Sequence, residues 1–172
     1  MAESLAQASA PEDERLGAVT VFLVRHAKAG DRELWTEPDH IRPVTKKGRR
    51  QAEGLVDLLR QEDVKRVLSS PYARCVQTVE PMAADRGLTI EQHDALAEGA
   101  LLRDTLALIE DLAEQAPVLC THGDVVGNVI AHLEGRGVPG ADQRLCKKGS
   151  TWVLTTEGGR VTGAAYHPPP SV

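Results

Sequence analysis

Arg25 and His26 stand side by side where the apolar run Thr20 to Val24 ends, in the stretch TVFLVRHAKAG, and Lys28 follows two residues on. Arg74 lies in SSPYARC, Glu98 in ALAEGA and His122 in CTHGD. Gathered in one place, these residue types would make a site for phosphoryl transfer. Guanidinium forks match the oxygens of a phosphate, and each charge-assisted hydrogen bond contributes about 1.5–3 kcal/mol when partly dry. One histidine can attack phosphorus while the other donates to an equatorial oxygen. Lys28, Arg32 and Arg42, in or bracketing the loop after His26, are candidates to read a second anionic group. Trp35, in the same loop, is suited either to flank a substrate or to anchor the loop.

The elements that must position these residues can be read from hydrophobic period and turn chemistry. A strand is predicted at about 19–25, followed by a helix behind Thr45 as N-cap, with Ala52, Leu55, Val56, Leu58 and Leu59 as its apolar stripe. KRVLSS reads as a short strand. Pro71 is expected in the first turn of a helix that holds Val76, Val79, Met82 and Ala83 and that Gly87 closes. LTIEQHD is β-rich, RDTLALIEDLAEQ has helical spacing, PVLCTH is a further strand and GDVVGNVIAHLEG a further helix. The runs around Glu157, Gly158 and Gly159 predict an antiparallel hairpin.

Strands alternating with helices give an α/β fold: a three-layer αβα sandwich whose mostly parallel sheet has helices on both faces and the hairpin at one edge. In such sheets ligands sit beyond the carboxyl ends of the strands. The predicted topology brings Arg25, His26, Arg74, Glu98 and His122 to that end from separate segments. A single domain is expected over 18–167, with an acidic disordered tail at 1–17 and a short tail at 168–172.

The chain of 172 residues carries a net charge of -5, so nothing global draws it to nucleic acid or to an anionic membrane. Five aromatic residues, Phe22, Trp35, Tyr72, Trp152 and Tyr166, offer little for base stacking. With no run of about 18 apolar residues and no signal-peptide pattern, a cytoplasmic location is expected. Cys75, Cys120 and Cys146 lack metal-type spacing and read as core thiols. No carboxylate cluster suited to Mg²⁺ is apparent, and no cofactor is expected.

VRHAKAG, SSPYARCVQTVEP and CTHGD, in this order, resemble the signature of the histidine phosphatase superfamily, with its phosphoglycerate mutase-like fold. Ala27 stands where the first motif usually has glycine. The compact length is similar to the SixA-type phosphohistidine phosphatases. RHAKAG, RCVQTVEP and KKGSTWVL also look like the phosphatase-like half of two-domain Nudix hydrolases that remove oxidised guanine nucleotides. The resemblance implies His26 as nucleophile and Arg25, Arg74 and His122 as ligands of the phosphoryl oxygens. It implies Glu98 as proton donor, with Asp124 in reserve, although SixA-type members can lack that donor. The substrate so implied is a phosphorylated small molecule or a phosphohistidine protein, with a nucleotide as alternative. A phosphate-binding regulatory module without turnover is the reading of a different class. Neither the substrate nor the oligomeric state is legible in the residues.

Overall fold

The computed structural model describes residues 18–172. The acidic segment 1–17 lies outside them. Strand β1 (Ala18–Arg25) runs through the middle of a sheet whose order is β3-β2-β4-β1-β5-β6. Its neighbours are β4 (Pro117–Thr121), which is parallel, and β5 (Thr151–Glu157), which is antiparallel. Strands β2 (Arg66–Ser69) and β3 (Ile90–Gln92) extend the parallel half, and β6 (Arg160–His167) closes the other edge. The mostly parallel sheet with a C-terminal hairpin is the architecture predicted.

Alternation along β1 divides the interior in two, because successive side chains point to opposite faces. Val21 and Leu23 pack with Leu119, Trp152 and Leu154 beneath helices α3 (Leu102–Leu112) and α4 (Gly123–Gly135). Phe22 and Val24 pack with Val67, Val118 and Cys120 beneath α1 (Lys46–Leu58) and α2 (Ala73–Arg86). Cys75 and Cys120 are buried, while Cys146 is partly exposed.

Register matters more for the site than the core does. Arg25 pairs with Thr121, and Ser69 with Cys120, so three parallel strands end at nearly one level. The His26 N–H continues the ladder to the Thr121 carbonyl at 2.9 Å. His26, Ser70 and His122 are therefore the residues immediately beyond the sheet.

Thr45 caps α1 as expected, its hydroxyl accepting from the Gly48 N–H at 3.1 Å. Gly48 is needed there because a Cβ would lie 2.1 Å from the Lys28 carbonyl oxygen, so only glycine lets the helix start press against the loop after His26. Gly87 closes α2 with φ of 64°. Pro71 lies one residue before the Tyr72 cap of α2, not in its first turn. It sets the extended entry to the helix. Leu58 is more exposed than its place in the predicted stripe implies. Beyond β6, Pro170 lies against Gly54 of α1. Among the described residues no helix is long and apolar enough to cross a membrane.

Candidate active site

The strand ends open into a cavity of about 970 Å³ that Arg25, His26, Arg42, Glu98, His122 and Lys148 help to line. His26 is only 5% exposed. Its Nδ1 lies 2.8 Å from the Ala27 carbonyl oxygen, which can only accept, so Nδ1 carries the proton and Nε2 the lone pair. Burial, and then the charges of Arg74, His122 and Arg25, lower the imidazole from 6.5 to about 3, against the opposing pull of the Ala27 carbonyl. The ring is thus a neutral base with Nε2 free to attack. Ala27 fits with ordinary backbone geometry, because Ala116 is the one described non-glycine residue with positive φ. The Ala27 N–H donates to Thr78 Oγ1 at 2.8 Å, which ties the turn to α2.

Arg74 is wholly buried. A buried guanidinium is costly unless paired. Its partners come from two loops: Nη1 donates to the Asp39 carbonyl and Nη2 to Asp39 Oδ2, each at 3.1 Å, and Glu98 Oε2 lies 3.5 Å from Nη2. Arg74 Nη2 also approaches His122 Nδ1 at 3.5 Å. Because arginine has no acceptor, Nδ1 faces it with a lone pair and Nε2 donates to Ser70 Oγ at 2.8 Å. To donate from Nδ1 to a phosphoryl oxygen the ring needs a second proton, which a phosphate monoanion can bring with it. The His26 and His122 rings stand 5.5 Å apart, edge to face.

Arg25 reaches the same space from β1, with Nη1 donating to the Cys146 carbonyl and Nε buried without a partner among the described residues. Gly123, the first residue of α4, makes room for it. A Cβ at Gly123 would sit 2.8 Å from Arg25 Cζ. Gly123→Ala is expected to push the guanidinium aside and lower kcat/KM for an aryl phosphate by about 10- to 10²-fold, the scale of a misplacement near 1 Å. Inhibition by inorganic phosphate should weaken in parallel. Phosphate inhibition equal to wild type would show that Arg25 does not hold the phosphoryl group.

The remaining candidates separate. Glu98 is brought beside the clamp, bound to Arg32 Nη2 at 2.9 Å as well as lying near Arg74. Asp124 lines the cleft, but Oδ2 accepts from the Gly99 N–H at 2.8 Å and so ties the Glu98 loop to α4. Arg42 also lines the cleft yet is 3% exposed, with Nε donating to Asp39 Oδ1 and Nη1 to the Gly30 carbonyl. Arg32 is held between Glu98 and Asp39, whereas Lys28 is exposed on the cleft wall. Trp35 donates to the Pro38 carbonyl and anchors its loop.

Two residues not singled out from sequence belong to the site. Asp39 joins Arg32, Arg42 and Arg74. Partial burial opposes its ionisation, but the hydrogen bond from Arg42 and the charges of Arg74, Arg42 and Arg32 hold the carboxyl below its usual value. The Asp39/Arg42 spacing was a local clue to one of those pairs. Lys148, one of the paired lysines before β5, also lines the cleft.

Residues 21–105 match the profile of the histidine phosphatase superfamily (branch 1). Arg25, His26 and Arg74 lie within the matched span, and His122 lies beyond it. The chain belongs to the histidine phosphatase superfamily. It is 36% identical over 156 residues to an 8-oxo-(d)GTP phosphatase of Mycolicibacterium smegmatis, an alignment covering 88% of this chain and 48% of that protein. The chain thus spans about half the length of that relative. It is 25% identical over 135 residues to a phosphohistidine phosphatase SixA homolog of Haemophilus influenzae, covering 70% of this chain and 80% of the relative. The structure of the protein histidine phosphatase SixA complexed with tungstate superposes with a TM-score of 0.69 at 20% identity, covering 88% of this chain and 96% of the other.

Proposed function

We propose that this histidine phosphatase is a metal-independent hydrolase that forms a phosphohistidine on His26, acting on a phosphate monoester or a phosphorylated histidine. The observation that carries this reading is the tautomer of His26, whose protonated Nδ1 is spent on the Ala27 carbonyl while Nε2 is left neutral beside a cleft that Arg25 and His122 also line. In the first step Nε2 attacks phosphorus in line. Arg25, Arg74 and His122 hold the charge that spreads over the equatorial oxygens, and fixed donors of this kind are the largest usual contribution to such a reaction. Glu98, in its protonated form, supplies the proton to the leaving oxygen. Water then cleaves the P–N bond, with the same carboxylate as base.

Arg25, Arg74 and His122 supply the positive charge at the transferring group without a bound metal. Phosphate release from p-nitrophenyl phosphate should therefore persist in EDTA. Activity lost with chelator and restored by Mg²⁺ would overturn the metal-free reading. No turnover of an aryl phosphate, a phosphohistidine peptide or a nucleotide would make the protein a phosphate-binding module instead. A second reading, a nucleotide substrate, is favoured by the relationship to the mycobacterial 8-oxo-(d)GTP phosphatase.

A further inference from the structure

Lys28 and Lys148 are far apart in sequence, yet one buried side chain fastens their backbones together. Gln51, 7% exposed, accepts from the Lys28 N–H through Oε1 at 2.9 Å and donates through Nε2 to the Lys148 carbonyl at 3.3 Å. The next residue completes the junction: the Gly149 N–H reaches the His26 carbonyl at 3.0 Å and the Arg25 carbonyl at 3.2 Å. Gly149 has φ of 86°, and a Cβ there would crowd the Gln51 amide at 3.0 Å, so the position suits glycine alone. The backbones of both lysines are thereby fixed beside the nucleophile, and both residues line the cleft.

Their charges stand uncompensated where the neighbouring arginines do not. Arg32 and Arg42 are engaged with Glu98 and Asp39, but among the described residues neither Lys28 nor Lys148 enters an ion pair. Partial burial, and then the charges of Arg25, Arg42, Lys28 and Arg32, hold the Lys148 ammonium below its usual value. Asp31 and Glu33 line the same cleft, but neither is paired with these lysines, whose charges add to that of Arg25 in attracting an incoming anion.

We propose that Lys28 and Lys148 form a second anion subsite beside the phosphoryl clamp, and that the ligand it takes is a diphosphate group, free or carried by a nucleotide. The chemistry rests on the phosphohydrolase reading above; the binding does not. His26 Nε2 forms a bond to the terminal phosphorus while the bridging P–O bond breaks. The electron pair leaves on the penultimate phosphate, whose new charge falls on the two ammonium groups. Water then cleaves the P–N bond, releasing orthophosphate and free His26.

Calorimetric titration of the full chain with methylenediphosphonate and with methylphosphonate tests the subsite without turnover. The diphosphonate is expected to bind at least about tenfold more tightly, from two added charge-assisted contacts. In the Lys28→Met, Lys148→Met double variant that ratio should fall to about one, and in the Lys28→Arg, Lys148→Arg variant it should persist. A ratio near one in the wild type, or one unmoved by the methionines, overturns the proposal. Faster turnover of ADP or of inorganic diphosphate than of p-nitrophenyl phosphate supports it, and the faster of the two names the source of the group. Tight diphosphonate binding by a protein that turns over neither p-nitrophenyl phosphate, nor a phosphohistidine peptide, nor ADP or inorganic diphosphate would sink the hydrolase reading and leave the subsite standing.

Discussion

His26→Ala is expected to lose about 10⁴-fold or more in kcat on any phosphorylated substrate, because the remaining clamp can bind the phosphoryl group but has nothing to receive it. A denaturing quench of the wild-type protein during turnover should leave phosphate that is labile to acid and maps to His26. Label on serine, or on no residue, would defeat the covalent route. The pH dependence is equally specific. With His26 lowered to about 3, the nucleophile stays unprotonated as pH falls from 7 to about 4, so any acid limb in that range belongs to another group or to the substrate. Stability moves the other way from rate. Below the ordinary value of 6.5 the unfolded chain binds a proton at His26 that the native chain refuses, so stability declines as pH falls from 6.5 toward 3 and is unaffected above that window. At pH 5 the penalty is about 2 kcal/mol. His26→Gln should lose less thermal stability than wild type between pH 7 and pH 5. Equal losses would mean that His26 is not held neutral by its surroundings.

The parts of this site that lie on strand tips were legible in the sequence, whereas among its loop residues Glu98 was a candidate and Asp39 and Lys148 were not. A parallel sheet with short crossovers constrains where Arg25, His26 and His122 must stand, since register and strand length leave little freedom. Arg74 followed from its place in the first turn of α2. Its partner did not. Asp39 sits on a short 3-10 turn, Asp39–Ile41, whose path over α2 depends on Trp35, Pro38 and Arg42 closing the loop on itself. No period marks such a turn. The same loop explains why Arg42, a candidate for a second anion, is instead drawn inward by Asp39 and the Gly30 carbonyl. Lys148 escaped notice for a related reason: paired lysines before a strand are ordinary surface residues until a distant glutamine joins their backbone to that of Lys28. Segments whose position rests on one long-range hydrogen bond leave no local imprint.

Glu98 is the residue whose role depends most on the leaving group. Its loop is fixed by the Gly99 N–H on Asp124, and its carboxylate oxygens reach Arg32 and Arg74, so a leaving oxygen on a phosphoryl group held by Arg74 would lie within its range. If Glu98 protonates that oxygen, Glu98→Gln should slow an alkyl phosphate by about 10²- to 10⁴-fold, the usual range of general acid catalysis. The amide keeps the shape and can still meet Arg32 through its carbonyl oxygen, so the loss would report the missing proton and not a displaced loop. An activated aryl phosphate, whose phenolate departs without help, should be slowed far less. A diphosphate should resemble the aryl ester, because the departing phosphate carries its charge onto Lys28 and Lys148. Equal losses on all three would assign Glu98 to the positioning of Arg74 or to the later attack of water, and the two separate by single turnover: a slowed burst indicates positioning, while an undiminished burst followed by a slow steady state indicates hydrolysis of the phosphohistidine. Rates equal to wild type on every ester would transfer the proton to Asp124 or to solvent.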